Sequence, residues 1–166
     1  VAVRTHLDLA SYLPPPDPGV DTLTLLEERA GNAEIDLPHV MQLGTSHGRE
    51  LAIRSDGDLS ARVAGQSWCF VVSDVARFCW RSGDATVRFE RLREGSEELL
   101  AFWLIHIFLP LWFTLEGTYE FFHACSVEIG GTPVLFFAPS MGGKSTLTDC
   151  FLRKGHGLVS DDKVAV

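Results

Sequence analysis

The stretch PVLFFAPSMGGKSTLTDCFLRKG, residues 133–155, restricts this chain more than any other, because three patterns follow one another in it without a gap. A nearly continuous apolar run over 133–138 predicts a strand covered on both faces, as in the centre of an α/β sheet. Leu147, Phe151 and Leu152, with Arg153 and Lys154 near the end and Gly155 behind them, predict a helix over 144–155. Between the two lies AxxxxGKS, a Walker A pattern with Ala138 in place of the first glycine. Gly142 and Gly143 let the backbone turn so that N–H groups from Ser140 to Ser145 converge on phosphate oxygens at a helix start. Lys144 is expected to neutralise charge on the β and γ phosphates, the Ser145 hydroxyl to ligate Mg²⁺, and Thr146 to support the α-phosphate side. The expected nucleotide-binding residues are therefore Ser140, Met141, Gly142, Gly143, Lys144, Ser145 and Thr146, with ATP and Mg²⁺ as cofactors. A glycine-rich turn that merely contains GKS is the competing reading, and the strand-loop-helix context weighs against it.

Acidic groups complete the pattern. GLVSDDKVAV, residues 157–166, predicts a further strand that ends in Asp161 and Asp162. In a parallel sheet the C-terminal ends of neighbouring strands gather at one edge, so these carboxylates are expected to face the phosphates. One would hold Mg²⁺, and the other would accept the proton of a substrate hydroxyl. His123 sits in YEFFHACSVEI, residues 119–129, a predicted strand that the turn GGT joins to the apolar run. His123 is the third candidate; a lone histidine in an apolar strand is usually packed and hydrogen-bonded, and by itself it leaves that reading and a functional one about equally open.

Upstream the punctuation is that of a sheet. ELAIR (50–54), DLSARV (58–63), SWCFVV (67–72), ARFCW (76–80) and TVRFE (86–90) are separated by turn residues and predict an antiparallel meander. Trp68, Phe70, Phe78, Trp80 and Phe89 are expected in its core, because no basic residues accompany them as base stacking would require. Residues 99–115 are strongly apolar, but His106 and Pro110 interrupt them and a bilayer span needs about 20 residues. With Ser96 as N-cap and Glu97 and Glu98 in the first turn, they predict a buried helix kinked near Pro110, with His106 in the core. Residues 1–48 are the least readable; LPPPDPG (13–19) forbids helix, and 21–30 followed by Gly31 predicts a short one. The domain reading is thus an undefined segment over 1–48, a small antiparallel sheet over 49–95, a connecting helix over 96–118 and a nucleotide-binding core over 119–166.

The formal charge of −8 argues against broad binding to nucleic acid or an anionic membrane, while leaving room for one small anion in one loop. Cys69, Cys79, Cys125 and Cys150 have no metal-ligand spacing and are expected as reduced thiols, which with the lack of an export signal points to the cytoplasm.

The order HACSVEIGGTPVLFFAPSMGGKSTL, then LRKGHGLVSDDKVAV, resembles the HPr serine kinase/phosphorylase family and its HPr-kinase-like relatives, whose catalytic core is similar to that of phosphoenolpyruvate carboxykinase. The residues that carry the resemblance are His123, Gly143, Lys144, Ser145, KGH at 154–156, and Asp161 with Asp162, all within 119–166. The resemblance implies ATP-dependent phosphorylation of a hydroxyl on a small protein or peptide. It implies Asp161 as base, Asp162 as metal ligand and His123 as a polar partner of the transferred phosphoryl group, so that the catalytic set is Asp161, His123 and Lys144 and the metal set Ser145 and Asp162. Two departures stand in the loop, Ala138 for glycine and Met141 where the HPr enzymes carry glycine; backbone donors survive both. The family core continues beyond the double aspartate, so the sequence reads as a piece of a longer chain, inactive in transfer by itself. The overall expectation is an α+β protein: an antiparallel meander and buried helix followed by the first part of a P-loop kinase α/β core. A nucleotide-dependent regulatory or peptide-binding module and a small-molecule phosphotransferase are the alternatives, and homo-oligomerisation is left open.

Overall fold

A computed structural model describes residues 2–7, 9, 21–28, 37–60 and 63–166, and the chain divides into two units, residues 1–116 and 117–166. The class is α+β, with a seven-stranded mixed sheet, two smaller sheets and a few helices.

The first unit holds β1 (Ala2–Arg4), β2 (Thr22–Glu27), β3 (His39–Ser46), β4 (Arg49–Ser55), β5 (Ser67–Val72), β6 (Ala76–Arg81) and β7 (Thr86–Arg91), in the order β1-β2-β7-β6-β5-β4-β3. From β3 to β7 the strands form the expected antiparallel succession, and β1 and β2 extend it in parallel beside β7. Alternation places Phe70, Phe78 and Phe89 across three adjacent strands on one face, each at most 1% exposed. Trp68 and Trp80 pair beside them, so the aromatic set forms the core as expected. Burying side chains of this size contributes about 1.5–3 kcal/mol each.

The helical segment closes over that face. It runs as α1 (Glu97–Trp103), a π turn over Leu104–Phe108, and α2 (Leu109–Leu115). Ser96 caps it, its Oγ accepting the Leu99 N–H at 3.3 Å. Leu100, Trp103, Leu104 and Phe108 are buried, and the Phe108 ring lies 4.6 Å from that of Phe78. By length and composition alone the helix could cross a bilayer, yet these residues belong to the core of the sheet. The irregularity near Pro110 is the π turn, which widens the backbone where a proline ring would meet the carbonyl four residues before it. His106 is exposed rather than in the core, resting against Phe102 with ring centroids 5.0 Å apart.

Four further expectations need correction or lie elsewhere. Residues 22–27 form a strand, not a helix: Leu23 and Leu25 are buried in alternation with threonines, the period of a sheet. Residues 58–60 form a turn, not a strand, because the Asp58 carboxylate accepts both the N–H and the hydroxyl of Ser60; positions 61–62, LPPPDPG and Gly31 lie outside the described residues. The unreadable first 48 residues supply β1, β2 and β3. Cys69 and Cys79 are register partners joined by a disulfide, and only Cys125 and Cys150 are free thiols.

The second unit holds β8 (Phe121–Phe122), β9 (Ala124–Ile129), β10 (Thr132–Phe137), α3 (Lys144–Arg153), β11 (Gly157–Ser160) and β12 (Val164–Ala165). Gly130 and Gly131, at φ +61° and +81°, make the tight β9–β10 turn. The sheet order is β10-β9-β11, with both neighbours antiparallel to β9. The apolar run 133–138 is therefore an edge strand of this sheet, half-buried at best, and β9 takes the centre with Ala124, Cys125, Ser126 and Val127 all buried. The parallel sheet expected around the loop is absent among the described residues of this unit, whose strand pairs are all antiparallel. Its geometric consequence survives, since β10 and β11 both oppose β9 and so run in the same direction.

Candidate functional site

That shared direction builds the site. Phe137, the last residue of β10, pairs with Ala124 at the start of β9, and Ser160, the last of β11, pairs with Ser126. The loop after β10 and the two aspartates after β11 thus emerge at the edge where His123 precedes β9. His123 itself stands where the chain changes partners, between β8, which pairs with β12, and β9.

The loop is shaped by close approach. A Cβ on Gly142 would stand 2.8 Å from the Pro139 carbonyl oxygen and 2.9 Å from the Ala138 Cβ, so only glycine fits. The Gly142 N–H is spent on that turn, donating to the Pro139 carbonyl at 2.9 Å. Gly143 follows at φ +87° and leads into α3 without a side-chain cap. The first backbone bond of the helix runs from the Leu147 N–H to the Gly143 carbonyl, which leaves the N–H groups of Lys144, Ser145 and Thr146 at a helix start with no helical acceptor. Met141 is also left-handed, at φ +61°, and fully exposed, so it contributes backbone alone.

Lys144 is 9% exposed. Its Nζ donates to the Ala138 carbonyl at 2.8 Å and lies 3.4 Å from that of Pro139 and 3.1 Å from His123 Nε2. On the far side of the ring, Nδ1 stands 3.0 Å from Asp162 Oδ1 and 3.1 Å from the Asp162 carbonyl oxygen. An ammonium can only donate, so Nε2 accepts and the ring carries its proton on Nδ1, facing Asp162. Asp162 reaches this position from a left-handed backbone, φ +73°, which aspartate tolerates better than most residues. Asp161 has another partner: its Oδ1 accepts from the Cys125 thiol at 2.9 Å. Burial pushes the neighbouring Lys163 below the usual lysine range, with Asp162 opposing the change.

A cleft of about 510 Å³ joins these groups, lined by His123, Cys125, the stretch from Ser140 through Thr146, Asp161 and Asp162. Every residue expected to act in catalysis, nucleotide binding or metal binding is on its wall, and the volume falls in the range of small-molecule sites. The carboxylates are exposed, not enclosed. Among the described residues no group of three His, Cys, Asp or Glu side chains could hold a metal by itself. Magnesium needs fewer, since it ordinarily binds one or two protein oxygens together with phosphate and water. Cys125 escaped the sequence reading; strand alternation, which puts it on the face of His123, was the available signal.

Compared with known proteins, the chain matches no family model, no curated protein and no solved structure.

Proposed function

We propose that this chain belongs to an HPr-kinase-like, ATP-dependent serine kinase that phosphorylates a hydroxyl on a small protein or peptide. The observation that supports it best is the convergence on one sheet edge of a glycine-shaped loop with free helix-start amides, a buried lysine, and two aspartates held by different partners. A triphosphate fits that donor set: amides and an ammonium for its charge, with hydroxyl and carboxylate oxygens beside them.

In this reading the N–H groups of Lys144, Ser145 and Thr146 bind phosphate oxygens, and Lys144 exchanges the Ala138 and Pro139 carbonyls for the β and γ phosphates. Magnesium held by Ser145 and Asp162 would neutralise phosphate charge during transfer. Asp161 takes the proton of the acceptor hydroxyl on its carboxylate, and His123 presents its polar edge to the transferred group while keeping Asp162 oriented through Nδ1. Catalysis of this kind is positioning and charge stabilisation, so the reading depends on geometry more than on any one reactive side chain.

The test is incubation of the full-length protein and of its Lys144→Ala variant with γ-labelled ATP, Mg²⁺ and serine-containing acceptor peptides. Label on serine that disappears in Lys144→Ala supports kinase activity. Tight, Lys144-dependent ATP binding with no labelled serine would replace it with a nucleotide-dependent binding module.

A further inference from the structure

Beneath the cleft lies a nucleophilic group that the proposed chemistry leaves unused. Cys125 is 1% exposed, yet it lines the cleft and gives its only proton to Asp161 Oδ1. Its position is fixed from the strand side. Cys125 sits in the central strand β9, its register partner is Phe136, and the Phe136 ring stacks on Phe151 of α3 at 5.4 Å. Asp161, in contrast, is exposed and follows the short strand β11, whose register slips between Leu158 and Ser160. A carboxylate there would turn freely about its own bonds. A thiol is a weak donor, but its bond strengthens when the acceptor is charged.

We propose that Cys125 is a positioning residue for Asp161: its buried thiol holds Oδ1 and so fixes the rotation in which the second oxygen serves as base. The proposal deepens the phosphotransfer reading and rests on it. Asp162 is steered separately, by His123, so the cysteine acts on one aspartate alone. An oxygen donor in the same place could do the same work, whereas a methyl group could not.

Two measurements on the full chain test this. Cys69 and Cys79 are in a disulfide, so in a Cys150→Ser background Cys125 is the one thiol with an infrared S–H stretch. The band is expected below the free-thiol frequency, and Asp161→Ala should return it there; a free-thiol band unmoved by Asp161→Ala overturns the contact. The second is phosphate release from Mg-ATP by the full-length protein, with water standing in for the acceptor hydroxyl. Cys125→Ala should slow release about tenfold at unchanged ATP affinity, and Cys125→Ser should recover most of it, in line with the loss seen when an orienting partner is removed. Wild-type release no faster than that of Cys125→Ala overturns the role. ATP binding that is absent, or as strong in Lys144→Ala, sinks the underlying reading instead, and the S–H band still reports separately on the thiol.

Discussion

Lys144 and Asp162 are linked through one imidazole: His123 accepts from the lysine at 3.1 Å on Nε2 and faces the carboxylate at 3.0 Å on Nδ1. The resting loop therefore keeps its buried cation satisfied by its own carbonyls and by His123, and a nucleotide has to compete for the same ammonium. Removing the ring should release the lysine while also freeing Asp162. His123→Ala is expected to bind ATP at least as tightly as the wild type yet transfer phosphate about a hundredfold more slowly, the order of loss for a positioned polar group in proton or phosphoryl transfer. Parallel ATP titration and single-turnover kinetics would separate the two effects; a weaker ATP affinity with unchanged transfer would contradict it.

Two neighbouring loop positions should behave in opposite ways. Gly142 has no room for a Cβ, so Gly142→Ala must move the Pro139 carbonyl and disorder the amide nest. ATP affinity should fall at least tenfold, about 1.4 kcal/mol, without loss of the seven-stranded sheet. Met141 is fully exposed and left-handed, so Met141→Gly relieves about 1 kcal/mol of backbone strain and leaves ATP affinity within a few-fold. Isothermal titration of both variants checks the contrast.

In the first unit the carboxylate of Glu116 ties the end of α2 to the β6–β7 turn. It accepts from Trp80 Nε1 at 2.8 Å, the Gly83 N–H at 2.9 Å and the Ser82 hydroxyl at 3.1 Å. Glu116→Ala leaves a tryptophan N–H and a backbone N–H without partners and should cost about 2–3 kcal/mol. Denaturant unfolding followed by tryptophan fluorescence would register it; a change below about 0.5 kcal/mol would mean that water replaces the carboxylate at no cost.

Acid should weaken the same unit. Partial burial tends to raise Glu27, but the Arg91 and His6 bonds, each 2.6 Å, outweigh it and hold Glu27 below its ordinary 4.5. The Ser67 N–H holds Asp56 below its ordinary 3.8 against a smaller effect of burial. A carboxylate depressed in the folded state stabilises it above the unfolded value and loses that contribution as pH falls. Stability should therefore be level above pH about 5 and decline below it. Glu27→Gln should flatten the decline measured by unfolding at a series of pH values.

What could be read from the sequence was whatever depends on local order. Gly142, Gly143, Lys144 and Ser145 lie between an apolar run and a helix by chain position alone, and the distance to Asp161 and Asp162 follows from one helix and one strand. Pairing was not readable. Five apolar residues in PVLFFA suggest a central strand, but which strand is central depends on partners, and β9 has two while β10 has one. β3 was missed because an edge strand with Val40, Met41 and Leu43 all exposed shows no alternation. Thr22 to Glu27 alternates clearly, yet Gly31 after it suggested a helix stop. The Cys69–Cys79 pairing needs the β5–β6 register, in which the two stand equally far from Asp74. His123 gained its meaning only when the break between β8 and β9 set it beside Lys144 and Asp162, and Cys125 only when β11 brought Asp161 over it.

The proposed chemistry depends on the turn from Ala138 to Ser145 holding a triphosphate. Calorimetric titration of Mg-ATP into the wild-type chain and Lys144→Ala measures it most directly. Binding is expected to be saturable and one-to-one, to weaken at least tenfold in the variant and to be mimicked by inorganic triphosphate. Equal affinity in the two proteins, or no heat with either, would contradict it.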